Sequence, residues 1–360
     1  MNKVVKSVLK VIIGILLVVV ILVVGMFTVL TITEYKPDDI TQLTVNGSSS
    51  KVLSLDDTSS LTILTWNIGY SGLGSSADFF MDGGKGVRTQ TKAQVEDNLA
   101  AFVDEINTEE PDVVFLQEVD HNSMRSYFID GVSYISESLE SYQNVFANNL
   151  KVLFIPYPIP PIGKVDSGIL TLSRFEIEDA NRIQLPCPFK WPVRVGNLKR
   201  CLLASYIPIE GSDSKLVLVN LHLEAYDSGE GKIEQTKVLT AFLEEEYAKG
   251  NYVIAGGDFN QTFSNIDTSM YPLQSEDLWQ CGLLDVTNFT DGWNFLMDTT
   301  YPTCRSLDRP YDADDENFQY YVIDGYIVSP NVNVESIETL SLGFENTDHN
   351  PVKLTVNLDF

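Results

Sequence analysis

From Val11 to Ile32 the chain runs for 22 residues without a charge, and most of them are Val, Ile or Leu. At a helical rise of about 1.5 Å per residue the run extends over roughly 33 Å, enough to cross the hydrocarbon core of a bilayer. A buried core helix and a cleaved signal peptide are the competing readings. The run is longer than most signal-peptide apolar regions, no small-residue cleavage pattern follows it, and the first cysteine is Cys187. An uncleaved anchor, with its basic tail, is therefore expected over residues 1–33. Residues 34–60 turn polar, with Pro37, Gly47 and a serine run from Ser48 to Ser50, and read as a stalk.

Beyond Leu61 the apolar segments are short and β-branched. Strands are expected at 61–68, 112–119, 168–173, 201–209, 215–223, 252–255, 320–328 and 351–358. Val95, Leu99, Phe102, Val103 and Ile106 recur at helical spacing, as do Leu239, Phe242, Leu243 and Tyr247. No second linker and no repeat interrupts 61–360, so one domain is expected there. Its mixed order and many neighbouring strands argue for two packed sheets flanked by helices.

Charge modifies this picture. The chain has 24 Lys and Arg against 50 Asp and Glu, a net charge of −26, with three histidines. Without Lys3, Lys6 and Lys10 of the tail, 21 bases face 50 acids, or −29. The tail lysines place the N-terminus inside and the acidic domain outside the cytoplasm by the positive-inside bias. Such a surface repels phosphate backbones and argues against a long nucleic-acid groove, but it accepts metal cations. Composition, 44% apolar and 21% charged, excludes collagen-like and disordered classes. The four cysteines lack a C-x-x-C pair, which excludes the usual zinc-ribbon spacings; Cys187–Cys201 and Cys281–Cys304 pairings and free buried thiols all stay open.

Several strands end in carboxylates, amides or imidazoles: Trp66-Asn67, Gln117-Glu118, Asn220-Leu221-His222, Gly257-Asp258-Phe259-Asn260 and Thr347-Asp348-His349-Asn350. One such end is ordinarily a turn or cap residue. Five, holding two of the three histidines, make a polar floor with oxygen ligands for a hard divalent cation if they converge.

In this order WN, QE, N-x-H, GDFN, ID and TDHNP resemble the endonuclease/exonuclease/phosphatase superfamily of deoxyribonuclease-I-like phosphoesterases, over about residues 61–360. The resemblance implies an α+β fold, a four-layer sandwich of two mixed sheets flanked by helices. It also implies a Mg²⁺ site, with Mn²⁺ as an alternative. Glu118 would be the main metal ligand, Asn67 would hold the metal or a phosphate oxygen, and Asp348 would be a neighbouring or second-metal ligand. Asp258 and Asn260 would align the attacking water and the scissile phosphate. Asp324 would orient His349, itself the general base or a phosphate contact, while His222 would donate to the phosphate and protonate the leaving group. The expected activity is hydrolysis of a small or lipid-linked phosphate ester by a membrane-tethered, extracytoplasmic enzyme. The alternative is an extracytoplasmic nuclease.

Three loops bear on substrate. His222-Leu223-Glu224-Ala225 with Asp227-Ser228 looks closer to sphingomyelinase-like and phosphatase members than to nucleases. The glycine-rich 78–86 segment, followed by Arg88, reads either as a rim that contacts a second phosphate through Lys85 or as a surface loop. The apolar, proline-stiffened Phe154–Pro161 and Phe189–Pro192 stretches cover the site, graze the membrane or pack on their own domain.

Overall fold

The computed structural model describes residues 3–49, 51–54, 60–227 and 229–358. The apolar run lies within one 30-residue helix, α1 (Lys3–Ile32). Most of it is exposed, as suits a helix long and apolar enough to cross a membrane. Only its last two turns touch protein. There Leu30 is buried among Leu150, Val152, Val165 and Val195, with Met26 packed alongside.

The main strands are β1 (Leu61–Asn67), β2 (Val113–Asp120), β3 (Gln143–Ile155), β4 (Gly163–Ser173), β5 (Asp179–Gln184), β6 (Cys201–Glu210), β7 (Lys215–His222), β8 (Tyr252–Asp258), β9 (Asp324–Val328), β10 (Asn333–Thr339) and β11 (Val352–Asn357). One sheet has the order β5-β6-β7-β8-β9, extended by the short strands Ile40–Gln42 beside β5 and Asn294–Leu296 beside β9. The other has the order β10-β11-β1-β2-β4-β3. Parallel pairs, β7 with β8 and β1 with β2, lie among antiparallel neighbours in both sheets, so both are mixed.

The inner faces bury Ile63, Phe115, Ile169, Leu203, Leu218, Ile254, Tyr326 and Leu354 in one cluster. Helix α2 (Lys92–Glu109) covers the outer face of the second sheet with Val95, Leu99, Phe102 and Ile106, aided by the shorter α3 (Gly131–Ser138). Helix α4 (Glu230–Ala248) covers the first sheet with Leu239 and Leu243. Helix, sheet, sheet and helix make the expected four layers. The Tyr326 hydroxyl crosses the core from β9, shared between the carbonyls of Ile63 and Val352 at 2.9 Å each.

Two expectations are corrected. The described residues of the 34–60 segment do not stand clear of the domain as a stalk. Ile40–Gln42 pairs antiparallel with β5, Asn46 bridges Asn144, and Leu53–Ser54 runs parallel beside β6. Leu53 is buried in the main core, with Leu43 and Val45 packed against it. Backbone pairing at a sheet edge is indifferent to the polar side chains that suggested a linker. The expected 320–328 strand is in fact two. Tyr320–Tyr321 pairs with Cys304–Arg305, the chain turns through Val322 and Ile323, and β9 begins at Asp324. Thr303 Oγ1 accepts the N–H groups of both Ile323 and Asp324 and fixes this step. All four cysteines are free, so neither candidate disulfide forms.

Candidate active site

Strand register brings three of the expected residues together. On β8, Asp258 lies opposite His222 of β7 and opposite Asp324 of β9, so the three occupy one row across adjacent strands. Gly257 makes this possible: its φ is +148°, and a Cβ there would stand 2.0 Å from the Leu221 carbonyl oxygen. Just beyond, Asn260 adopts φ +51°, and its backbone N–H donates to Asp258 Oδ1 at 2.9 Å. The Asn260 side chain donates to the Leu223 carbonyl, tying the turn to the end of β7.

The second sheet closes over this row from its own strand ends. Asn67 Nδ2 donates to Asp258 Oδ2 at 3.0 Å, while Asn67 Oδ1 accepts the N–H of Gly69. Trp66 Nε1 donates to the His349 carbonyl, and Thr347 Oγ1 to the Asn67 carbonyl, which fixes the Thr347–His349 loop against β1. His349 Nδ1 is 2.8 Å from Asp324 Oδ2, and its Nε2 is 3.8 Å from Asp258 Oδ2. His222 Nε2 is 3.4 Å from that same oxygen. One carboxylate oxygen thus faces two imidazoles and one amide.

The two imidazoles differ in charge. Burial opposes protonation of His349, but Asp324, Cys304 and Asp348 more than offset it and hold its pKa well above the ordinary value. Burial, with the positive Arg200 behind it, keeps His222 well below. Burial, then the Asp324 charge, pushes Asp258 up to about 7.

Glu118 sits where β2 bulges against β4, the register shifting between Leu116 and Val119. Its φ of +56° is strained for a residue with a Cβ, and bulges commonly re-aim a side chain in this way. Burial, opposed by Arg125 and reinforced by Asp348, raises its pKa. Among the described residues its carboxylate takes part in no hydrogen bond or ion pair, and Asp324 Oδ1 is buried without a partner. A buried carboxylate without a partner and an orphaned buried carboxylate oxygen suit a hard divalent cation, which would supply the missing positive charge. Asp258, Asp324 and His349 bring ligand atoms within 4.8 Å of one another, as do Cys304, Asp348 and His349.

All eight expected site residues, Asn67, Glu118, His222, Asp258, Asn260, Asp324, Asp348 and His349, therefore converge on one floor. Gln117 and Asn220 of the same motifs do not reach it. They bond to each other at 2.9 Å and stitch the two sheets together. His121 lies outside the site, 3.4 Å from Asp130. Glu224 pairs with Arg200 and Asp227 with Lys232, while Ser228 lies outside the described residues.

Other members had no sequence signal. Arg125, in the short 3-10 helix Met124–Ser126, forms a bidentate pair with Asp120, stacks 4.0 Å over the Tyr70 ring and faces Glu118 electrostatically. Arg200 donates to the His222 carbonyl at 3.1 Å. From the glycine-rich loop, Asp82 accepts a hydrogen bond from Tyr226 at 3.1 Å. Burial, opposed by Tyr226 and reinforced by Asp348 and Glu118, pushes Asp82 up to about 7. The glycine signal marked this loop; the acid in it was not singled out.

Comparison with known proteins agrees with this architecture. None of the curated proteins compared matches the chain. An endonuclease/exonuclease/phosphatase from Beutenbergia cavernae is similar in fold, with a TM-score of 0.54 and 18% identity over 83% of this chain and 72% of that one. One from Bacteroides vulgatus gives 0.53 and 17% over 84% of this chain and all of that one. A humanized D. rerio TDP2 gives 0.51 and 17% over 83% of this chain and all of that one. The Endonuclease/Exonuclease/phosphatase family profile matches residues 64–309. The chain belongs to this family, whose members are metal-dependent hydrolases of phosphoester bonds.

Proposed function

We propose that the chain is a membrane-anchored phosphoester hydrolase that uses Mg²⁺ or Mn²⁺ and acts outside the cytoplasm on a small or lipid-linked phosphate ester. The observation that carries this reading is the convergence of Glu118, Asp348, Asn67 and the Asp258–His349–Asp324 chain on one floor. Membrane anchoring rests on α1, and its direction on Lys3, Lys6 and Lys10 ahead of the apolar run.

Glu118 and Asp348 would hold the ion, with Asn67 beside them. A bound divalent cation neutralises phosphoryl oxygens that otherwise repel a nucleophile. The chain's own groups do the rest. Asp258, its other oxygen fixed by the Asn260 N–H, orients the attacking water and draws on its proton. His349, kept charged by Asp324, donates from Nε2 towards the phosphoryl oxygens and stabilises developing charge. His222, neutral on the far side of Asp258, donates to the phosphate and would relay to the leaving group the proton that Asp258 takes from the attacking water.

The nuclease reading retains one point in its favour, since D. rerio TDP2 of the same fold is solved with a single-strand DNA product. The −29 charge outside the tail argues against long polyanions. A panel of phosphomonoesters, phospholipids and plasmid DNA, with Mg²⁺, Mn²⁺, Ca²⁺ or chelator, tests the proposal on the full chain in detergent. Metal-dependent turnover of a small or lipid ester, abolished by Glu118→Ala and His349→Ala, is expected. Rapid plasmid cleavage at moderate salt, or undiminished turnover in both variants, would overturn it.

A further inference from the structure

The end of α1 is fastened to the domain by packing and polar contacts. Besides the Leu30 contacts, Phe27 packs edge-on against Trp191 at 6.2 Å, and Trp191 Nε1 donates to Thr31 Oγ1 at 3.0 Å. Just past the helix, the buried Glu34 carboxylate is gripped by Arg194 at 2.9 and 3.2 Å and approached by Lys199 at 3.4 Å. These contacts begin at Met26, six residues before the end of the apolar run, which is about 9 Å along the helix axis. Wherever the run crosses a bilayer, the domain surface packed on Met26–Thr31 lies at the depth of its outer boundary.

Around that junction the domain surface is apolar. The tip of the β3–β4 hairpin and the turn after Pro188 expose Leu153, Phe154, Tyr157, Ile159, Trp191 and Val193. Ile159 is 93% exposed and Tyr157 69%, values at odds with loops packed on their own domain. Soluble proteins seldom leave such a contiguous patch bare, and Tyr and Trp favour the headgroup level. Lys164 and Lys190, next to the two stretches in sequence, have no ion pair among the described residues, although acids outnumber bases two to one in this chain.

The patch also adjoins the catalytic floor. Tyr157 packs edge-on against Phe80 at 5.9 Å, and Phe80 opens the short helix that carries Asp82 to the site. Between hairpin and glycine-rich loop lies an open cavity of about 320 Å³, lined by Lys85, Arg88, Tyr127 and Pro160 among others. From this continuity with α1 we infer that the hairpin tip and the Trp191–Val193 turn rest in the bilayer interface beside the anchor. They hold the catalytic mouth at the membrane plane, so that the substrate is a phosphoester carried on a membrane lipid. The inference rests on the proposed membrane-anchored phosphoesterase.

The test uses the full chain in phosphatidylcholine–phosphatidylglycerol vesicles. Ile159→Trp adds an indole, and its emission relative to the parent is expected to be blue-shifted and quenched severalfold by chain-brominated lipid. A red-shifted, unquenched increment would overturn the contact whether or not the protein is active. The Ile159→Asp/Val193→Asp variant is expected to lose at least tenfold in turnover of a vesicle-borne phospholipid while hydrolysing a soluble phosphoester at the parental rate. Equal effects on the two substrates would refute the lipid-presented class. A parent that hydrolyses neither would instead refute the phosphoesterase reading, with the quenching result still deciding the contact.

Discussion

Replacing Asp324 with asparagine removes one buried charge 2.8 Å from His349 Nδ1 and keeps the side-chain shape. For charges centred about 4 Å apart at an effective dielectric of about 20, the lost attraction is about 4 kcal/mol. That loss lowers the His349 pKa. With its pKa raised, His349 is charged at pH 7 in the parent, and the substitution shifts it towards the neutral imidazole that burial favours. Under the proposed roles, kcat should fall by about 10²- to 10⁴-fold at pH 7. The deficit should narrow as pH falls towards 5 and the imidazole recovers its proton. Steady-state rates of the metal-saturated variant from pH 5 to 9, beside its Tm, make the assay. A variant with parental Tm, parental rate and an unchanged pH profile would show that the charged His349–Asp324 pair plays no part in turnover.

Further outcomes are expected elsewhere. Glu118→Gln should weaken Mg²⁺ binding by at least about tenfold in calorimetric titration. Because the Glu118 pKa is raised, losing its charge should also raise the Tm of the metal-free protein. Tyr326→Phe leaves the Ile63 and Val352 carbonyls without their shared donor and should cost about 1–3 kcal/mol in denaturant unfolding, with little change in kcat. Glu34 has a lowered pKa, because Arg194 and Lys199 outweigh the burial that would raise it. Its contribution is therefore present above the ordinary glutamate value and lost as pH falls below about 4. Glu34→Gln should flatten the acid side of a Tm-versus-pH curve, and a curve that superimposes on the parent would refute the lock.

The inner strands were legible because burial on both faces demands continuous apolar sequence, as in β1, β7 and β8. Three edge or near-edge strands were not. In β3 (QNVFANNLKVLFI) amides and a lysine interrupt the apolar positions, in β5 (DANRIQ) a buried arginine replaces one, and β10 (NVESIET) is exposed along most of its length. Asn67, His222 and Asp258 could be found because their strands end on them, whereas Asp324 begins β9 and Asp348 and His349 precede β11. Arg125 and Asp82 lie in short 3-10 helices and Arg200 just before a strand, and only the folded path of the chain reveals that they face Glu118, Asp348 and His222.

The row formed by His222, Asp258 and Asp324 exists only in one alignment of three strands. Side chains alternate faces along a strand, so sliding β8 by one residue would carry Asp258 to the opposite side and put the glycine bend where the carboxylate belongs. Under the proposed roles, hydrolytic competence is a readout of correct strand alignment, and a misaligned but compact chain would be silent rather than sluggish. Loops between these strands can lengthen without touching the row, whereas a single-residue insertion or deletion inside β7, β8 or β9 would dismantle it. The hydrophobic code that aligns the core strands is, in this chain, also the specification of its chemistry.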